Sequence, residues 1–403
     1  MSLPSASPQR ALFGTLITDG RRIEEGVLAF SGDRIDYAGP AADFVLEPGA
    51  ELEHLAQGAR ILPGLIDVHN HGADGGDFPA GEEEGARQAV DYLHRHGTTT
   101  LLASMVTASR EDLLRGIEVH KALVKEGLIA GIHLEGPFLS EARCGAQDPA
   151  YLLEPDLELA RELLEAGEGK IITMTYAPEL QGAQALVDLL TEHGVTPSLG
   201  HTDSDAPTAA NSLLRSLEGL SGSGFDGNAG RPTVTHLFNG MPPMHHRSPG
   251  PVASCLRLAS SGKVAVELVA DNTHLDPQTV LTVFELVGAA NILLVTDSMA
   301  ATGLADGSYR LGPAQVTVRD AVATLDSTGS IAGGTATLLQ VVQRTADAGV
   351  PLEDAVLSAT AVPARMLGLS DELGSLRRGL RADAVVLDGE GALSAVFRAG
   401  ARL

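Results

Sequence analysis

The sequence predicts an α/β fold: a (β/α)8 TIM barrel with a small β-sandwich domain formed by the two ends of the chain. Three observations predict it. Between Ile61 and Asp297, eight short apolar, β-branched runs alternate with stretches of helical period. Both flanks break instead into brief apolar runs separated by turn signals. The length of 403 residues exceeds one small domain and suits a barrel of roughly 250 residues plus a smaller unit.

The segment Met1 to Arg10 is Ser/Pro-rich and lacks the apolar stretch of a targeting signal. From Ala11 to about Leu62 the runs LFGTLITDGRR, GVLAFSGDRIDYAG and ARILPG read as a small antiparallel unit, with hairpin-grade turns at Asp19-Gly20 and Gly32-Asp33. The barrel strands are expected at ILPGLIDVHNH, TTTLLASMV, IAGIHLE, KIITMTYAPE, TPSLGHT, PTVTHLFN, VAVELVAD and NILLVTD. Between them, GARQAVDYLHRHG and REDLLRGIEVHKALVKEG repeat apolar residues every three to four positions. Ser221 to Pro232 reads as a flexible loop by composition. After Asp297 come a Gly-rich stretch, a hairpin or meander in YRLGPAQVTVRDAVATLDSTGS, and helices over Gly334 to Ala348 and Leu352 to Met366. The tail returns to short strands. The expected boundaries are therefore 1–60 plus 367–403 for the sandwich and 61–366 for the barrel.

Composition narrows the function. Hydrophobic residues make up 44% and charged residues 20%, enough for a large core; with aromatics at 3% and no Trp, that core is expected to be aliphatic. The formal charge of −24 argues against nucleic-acid or anionic-membrane partners, because phosphate-rich surfaces need basic ones. Two cysteines, Cys144 and Cys255, with no CxxC make no disulfide framework. No run of ~18 apolar residues occurs. A soluble, cytoplasmic protein is expected.

The chemistry gathers at strand ends. In Asp67-Val68-His69-Asn70-His71-Gly72, His69 and His71 stand two apart and so share one strand face. They sit at the C-terminal strand end, where barrel active sites lie. Paired imidazoles suit a borderline cation such as zinc. An isolated HxH is as compatible with a polar strand end, but the event recurs. Glu135, His201, His236 and Asp297 each close a later apolar run, and a barrel brings such ends to one axis. A free acid beside a cation is the usual arrangement for metal-assisted hydrolysis. Of the other histidines, His94, His96, His120 and His193 fall in helical segments and are read as surface residues, and His54 lies in the N-terminal β region. His133 is read as a core residue, His245 and His246 stay open, and His274, after VAVELVAD, joins the site candidates.

The segments PGLIDVHNHG, HLEGPFLS, GHT, THLFNGM, DNTH and VTDSMAATG, in this order over most of the chain, resemble the N-acetylglucosamine-6-phosphate deacetylases of the amidohydrolase superfamily. HLEGPF with THLFN is the distinctive pair. HxH and the last-strand Asp are shared across the superfamily. The resemblance implies that Glu135, His201 and His236 form the principal metal site and that His69 and His71 form a second position that some members lose. It implies Asp297 as catalytic acid/base, and Asn239, Gly240 and His274 as substrate contacts. Arg247 would reach the sugar phosphate from the neighbouring subunit of a homodimer. The cofactor is a divalent metal, zinc before iron or another transition metal, with one or two ions per subunit. One departure stands out. Where the family often has Lys-Gly-Ala-His, whose His approaches the substrate carbonyl, this chain has Arg143-Cys144-Gly145-Ala146-Gln147. Gln147 is then expected to bind substrate as a neutral donor.

The implied reaction is hydrolysis of the acetamide of N-acetyl-D-glucosamine 6-phosphate. The cation activates water, and Asp297 serves as general base and then general acid. Other amidohydrolases, aminoacylase- or dihydroorotase-like, share the barrel and HxH. Many of them bridge two ions through a modified lysine at the fourth strand, and IITMTYAPE offers none. A non-catalytic metal- or sugar-phosphate-binding barrel would have lost Asp297 or a ligand, and this chain keeps them all.

Overall fold

Eight parallel strands follow one another in chain order through a single sheet: Leu65–Asp67, Thr98–Val106, Gly131–Glu135, Ile171–Tyr176, Thr196–Leu199, Thr233–Val234, Ala265–Leu268 and Ile292–Leu294. They are the eight expected runs. In this computed structural model residues 8–223 and 230–403 are described. Of the loop expected from Ser221 to Pro232, residues 224–229 lie outside them, and Ser221 to Ser223 are instead the last residues of the helix Ala206–Ser223; residues 1–7 of the Ser/Pro-rich start also lie outside.

A helix follows every strand, from Glu83–Arg95 after the first to Leu338–Asp347 after the eighth. Local chemistry starts several of them. The Ser109 side chain accepts from Asp112 N–H, and Asp156 accepts from Glu158 and Leu159. Asp276 caps a helix that opens on Pro277, and Thr337 and Gln340 form a reciprocal capping box. The helices lay aliphatic faces on the outside of the strands, where Leu134, Met174, Leu199 and Val234 pack with Leu163, Leu186 and Leu213. The second helical stretch, expected to be continuous from Leu352 to Met366, is two helices, Leu352–Ser358 and Ala361–Met366. Pro363 has no N–H to give the Ala359 carbonyl, which instead accepts from Ile66 N–H of the first strand at 2.9 Å.

The barrel closes just beyond its first and last strands, at the parallel bridge Asn70–Ser298. There Asp297 N–H donates to His69 O at 2.9 Å and His71 N–H to Ser298 O at 2.6 Å. Below it, Thr296 Oγ1 donates to the buried Asp67 carboxylate at 2.6 Å. The interior corrects the expectation of a wholly aliphatic core. Inward strand positions carry a belt of polar groups. Ser104 Oγ meets His133 Nδ1 at 2.9 Å, His133 Nε2 meets Thr175 Oγ1 at 2.8 Å, and Thr235 Oγ1 joins Thr175 at 2.8 Å and Ser198 at 2.7 Å. These groups tolerate burial because they satisfy one another.

The chain ends form a second eight-stranded sheet. Its hairpins turn where expected: Asp19 and Gly20 have φ of 53° and 69°, and Gly32 has 59°. The sheet is mixed rather than antiparallel throughout. Arg10–Thr18 pairs in parallel with Glu51–His54 and Arg60–Pro63, because the chain crosses back after Pro40. The sheet curls so that Phe30 and Phe397 meet at 5.4 Å around Leu12, Leu28, Ile61 and Val386, which gives the sandwich its core. The run beginning at Ile61 divides at Gly64. Arg60–Pro63 pairs with Ala384–Leu387 of the terminal sheet, and Leu65 begins the barrel. Only glycine fits between them, since a Cβ at Gly64 would lie 2.1 Å from Thr99 Oγ1. Gly307–Leu311, Ala314–Arg319 and Val322–Leu325 form the expected meander, part of which walls the mouth of the barrel.

Candidate metal centre

His69, His71, Glu135, His201, His236 and Asp297 converge at the C-terminal mouth of the barrel as two groups of three: His69, His71 and Asp297, and Glu135, His201 and His236. Three of them sit in left-handed backbone, with φ of 46° at His201, 27° at His236 and 48° at Asp297. L-residues disfavour that region and adopt it where a site over-determines the chain. Gly240 and Gly145 pack against the His201 ring. A Cβ on Gly240, itself at φ 61°, would stand 2.9 Å from His201 Nδ1.

The spacing within each triad fits a cation. Glu135 Oε1 lies 3.0 Å from His201 Nε2 and 2.9 Å from His236 Nε2, and the two nitrogens are 3.1 Å apart. In the other triad His69 Nε2 and His71 Nε2 are 3.2 Å apart, and Asp297 Oδ1 stands 3.4 and 3.2 Å from them. Ligands about 2.0–2.1 Å from a tetrahedral ion are spaced by about 3.3 Å. The ring tautomers agree. His71 Nδ1 faces Ser104 O at 3.1 Å and His201 Nδ1 faces Arg143 O at 2.8 Å. A carbonyl only accepts, so in the neutral ring each Nδ1 holds the proton and each Nε2 turns a lone pair inward. His69 is fixed in the same way by Glu267 Oε2 at 2.9 Å. Lone pairs and carboxylates that converge like this repel one another unless a cation or protons stand between them. Glu135 also approaches the other group, its Oε2 lying 3.3 Å from His71 Nε2.

Charge follows the same geometry. Burial alone would raise the Asp297 carboxyl, but the imidazoles of His69 and His71 outweigh it and hold it well below the usual range. Glu135 is lowered likewise by His69, His201 and His236 against the effect of burial. Burial would lower His71, yet Asp297 and Glu135 raise it to about 9.

A cavity of about 230 Å³ opens over both triads, lined also by Gln147, Asn239, Gly240 and His274, the expected substrate positions. Asp271 Oδ2 accepts from His274 Nδ1 at 2.9 Å, which leaves Nε2 facing Asp297 Oδ2 at 3.7 Å. Gln147 is buried and its amide is occupied at both ends, by Thr107 N–H and by Glu135 Oε2. Arg247 lies on an exposed loop beside His245 and His246 and does not line its own chain's cavity; among the described residues no Lys or Arg does. Cys144 is half-buried at the rim of a neighbouring hollow.

His133 lies in the polar belt beneath the site, its ring 4.5 Å from His69. His54 packs on Phe13, away from the mouth. Two histidines expected at the surface are buried. His120 gives Nε2 to Phe78 O at 2.9 Å, and His94 lies under the terminal sheet near Arg398 and Arg381. Both occupy the apolar faces of their helices, where periodicity outranks polarity. Sequence reasoning missed Glu267 and Asp271, the carboxylates that orient His69 and His274. The one available signal was an acid placed in VAVELVAD, a run otherwise built for burial.

The Amidohydrolase family model matches residues 60–184 and 230–401. An N-acetylglucosamine-6-phosphate deacetylase of Bacillus subtilis is 30% identical over 383 residues, covering 93% of this chain and 92% of that protein. The enzyme of that name from Homo sapiens is 31% identical, over 96% of this chain and 93% of its own. Among solved structures, a mutant N-acetyl-D-glucosamine-6-phosphate deacetylase from Mycobacterium smegmatis, in complex with N-acetyl-D-glucosamine-6-phosphate, superposes with a TM-score of 0.89 at 37% identity, covering 98% of this chain and 99% of that one. The Thermotoga maritima deacetylase gives 0.79 at 25%, over 96% and 98%.

Proposed function

Because this chain belongs to the amidohydrolase family, and within it to the N-acetylglucosamine-6-phosphate deacetylases, we propose that it hydrolyses the acetamide of N-acetyl-D-glucosamine 6-phosphate to D-glucosamine 6-phosphate and acetate. The observation that carries this reading is Asp297, which completes one ligand triad and faces the same cavity as the second. The donor set of imidazole nitrogens and carboxylate oxygens suits two divalent cations, zinc before iron. Such a cation supplies Lewis acidity, lowering the pKa of water towards ~7 and polarising a carbonyl.

The chain's own residues do the rest. The Asp297 carboxylate takes the proton of the attacking water and then delivers it to the departing amine nitrogen. His274 is held by Asp271 with Nε2 turned to the cavity. Against the lowering effect of burial, the Asp271 and Asp297 carboxylates raise it towards the imidazolium, whose Nε2 proton is donated to substrate oxygen. Asn239 and the Gly240 backbone position the sugar. Among the described residues the cavity lining offers no Lys or Arg for a phosphate, so Arg247 of a second copy meets that charge in a homodimer; a guanidinium fork suits phosphate oxygens. No helix among the described residues is long and apolar enough to cross a membrane, and we place the enzyme in the cytoplasm. Acetate release from N-acetylglucosamine 6-phosphate, with N-acetylglucosamine as control, tests the reading. Fast release from the phosphate ester alone supports it, and none from metal-replete protein overturns it.

A further inference from the structure

We propose that Gln147 is a positioning residue that holds Glu135 as the bridge between the two triads, and so sets how tightly the His69–His71–Asp297 position keeps its cation; this rests on the two-ion reading above. The side chain is buried and its amide can be assigned without ambiguity. Thr107 N–H can only donate, so the atom 2.7 Å from it is Oε1. The other end is therefore the NH2 group, and it donates to Glu135 Oε2 at 2.7 Å.

The oxygen so held is the one that decides bridging. Glu135 Oε1 already sits between His201 and His236. Oε2 is the atom 3.3 Å from His71 Nε2. The last torsion of a glutamate is broad and soft, so without the Gln147 bond Oε2 is free to swing out of reach of the second position. An amide suits the task. It donates at every pH and brings no positive charge towards a cation, as a protonated histidine would. Gln147 is in turn set by its loop, where its own N–H donates to Cys144 O at 2.9 Å. The sequence expectation, a direct hydrogen bond from Gln147 to substrate, would draw on the second N–H of the same amide group; the first is engaged by Glu135.

The two roles separate experimentally. Apoprotein of wild type and of Gln147→Ala is titrated with Zn²⁺ by calorimetry, and Mn²⁺-loaded samples are read by electron paramagnetic resonance. Wild type is expected to bind two ions per subunit and to give the spectrum of an exchange-coupled Mn²⁺ pair. Gln147→Ala is expected to keep the first affinity, to weaken the second by roughly 10–100-fold, and to give a mononuclear signal at equal loading. Gln147→Asn, which withdraws the same donor by one methylene, serves where the alanine variant fails to fold. Two ions with unchanged affinities and a coupled spectrum in the folded variant overturn the inference and leave the two-ion centre standing. A single ion in wild type overturns the two-ion reading and the inference with it.

Discussion

Glu267 Oε2 accepts from His69 Nδ1 at 2.9 Å and, at 3.1 Å, from the backbone N–H of His236, so one buried carboxylate anchors a ligand of each triad. Replacing it by alanine unties both, and partners of this kind are commonly worth 10–100-fold in metal affinity. Glu267→Ala should lose metal during dialysis against a chelator that wild type withstands. Glu267→Gln should fall between them, since its amide oxygen still accepts. Equal retention by all three would show that the ligands orient themselves.

Asp297→Asn keeps the shape of the side chain and removes its basicity. The Glu135–His201–His236 triad contains no atom of Asp297, so that ion and the fold should persist. Acetate release should fall by roughly 10²–10⁴-fold, the usual contribution of a positioned acid/base. Turnover near wild type in a metal-replete sample would remove Asp297 from the mechanism.

Arg247→Ala should act on phosphate recognition alone. Loss of a charge-assisted contact, about 1.5–3 kcal/mol, should raise KM for the phosphorylated substrate by roughly 10–100-fold with kcat nearly unchanged. The weak hydrolysis of unphosphorylated N-acetylglucosamine should not move. An equal loss on both substrates contradicts the assignment.

His94 and His120 predict the acid response of stability. Burial pushes their rings down to about 3 and about 4 respectively, below the unfolded value of ~6.5. The unfolded chain therefore binds protons first, and stability is lost as pH falls through ~6.5 towards those folded values. For His120 the loss at pH 5 is roughly 2 kcal/mol. Denaturant midpoints measured from pH 7.5 to 5 should decline, and less steeply in His120→Gln. An identical slope would assign the decline to other groups.

Much of this was legible in the sequence because periodicity and residue chemistry coincide there. Each barrel strand announced itself as an apolar run, and each ligand stood where its run ended. Several of the readings that failed concern groups whose partners are remote in sequence. Ser104, His133, Thr175 and Thr235 look like scattered polar residues until the barrel makes them neighbours. Glu267 lies 198 positions from His69, so nothing local distinguishes it from a charged strand residue. Gln147 was visible as a departure from a familiar pattern, but its two partners, Thr107 and Glu135, were not, and the positioning role proposed for it rests on them.

The closure between Asn70 and Ser298 has a further meaning. A barrel is a ring, and this ring is clasped at the candidate metal centre. Asp67 and Thr296, 229 positions apart, are fastened by two hydrogen bonds, and just above them the backbones on either side of His69 and Asp297 are stitched together. The two ends of the parallel sheet therefore find their register through the segments that also present the ligands. An ion held by His69, His71 and Asp297 would tighten the clasp, so that architecture and chemistry would be assembled in the same act and a lesion in either felt in both.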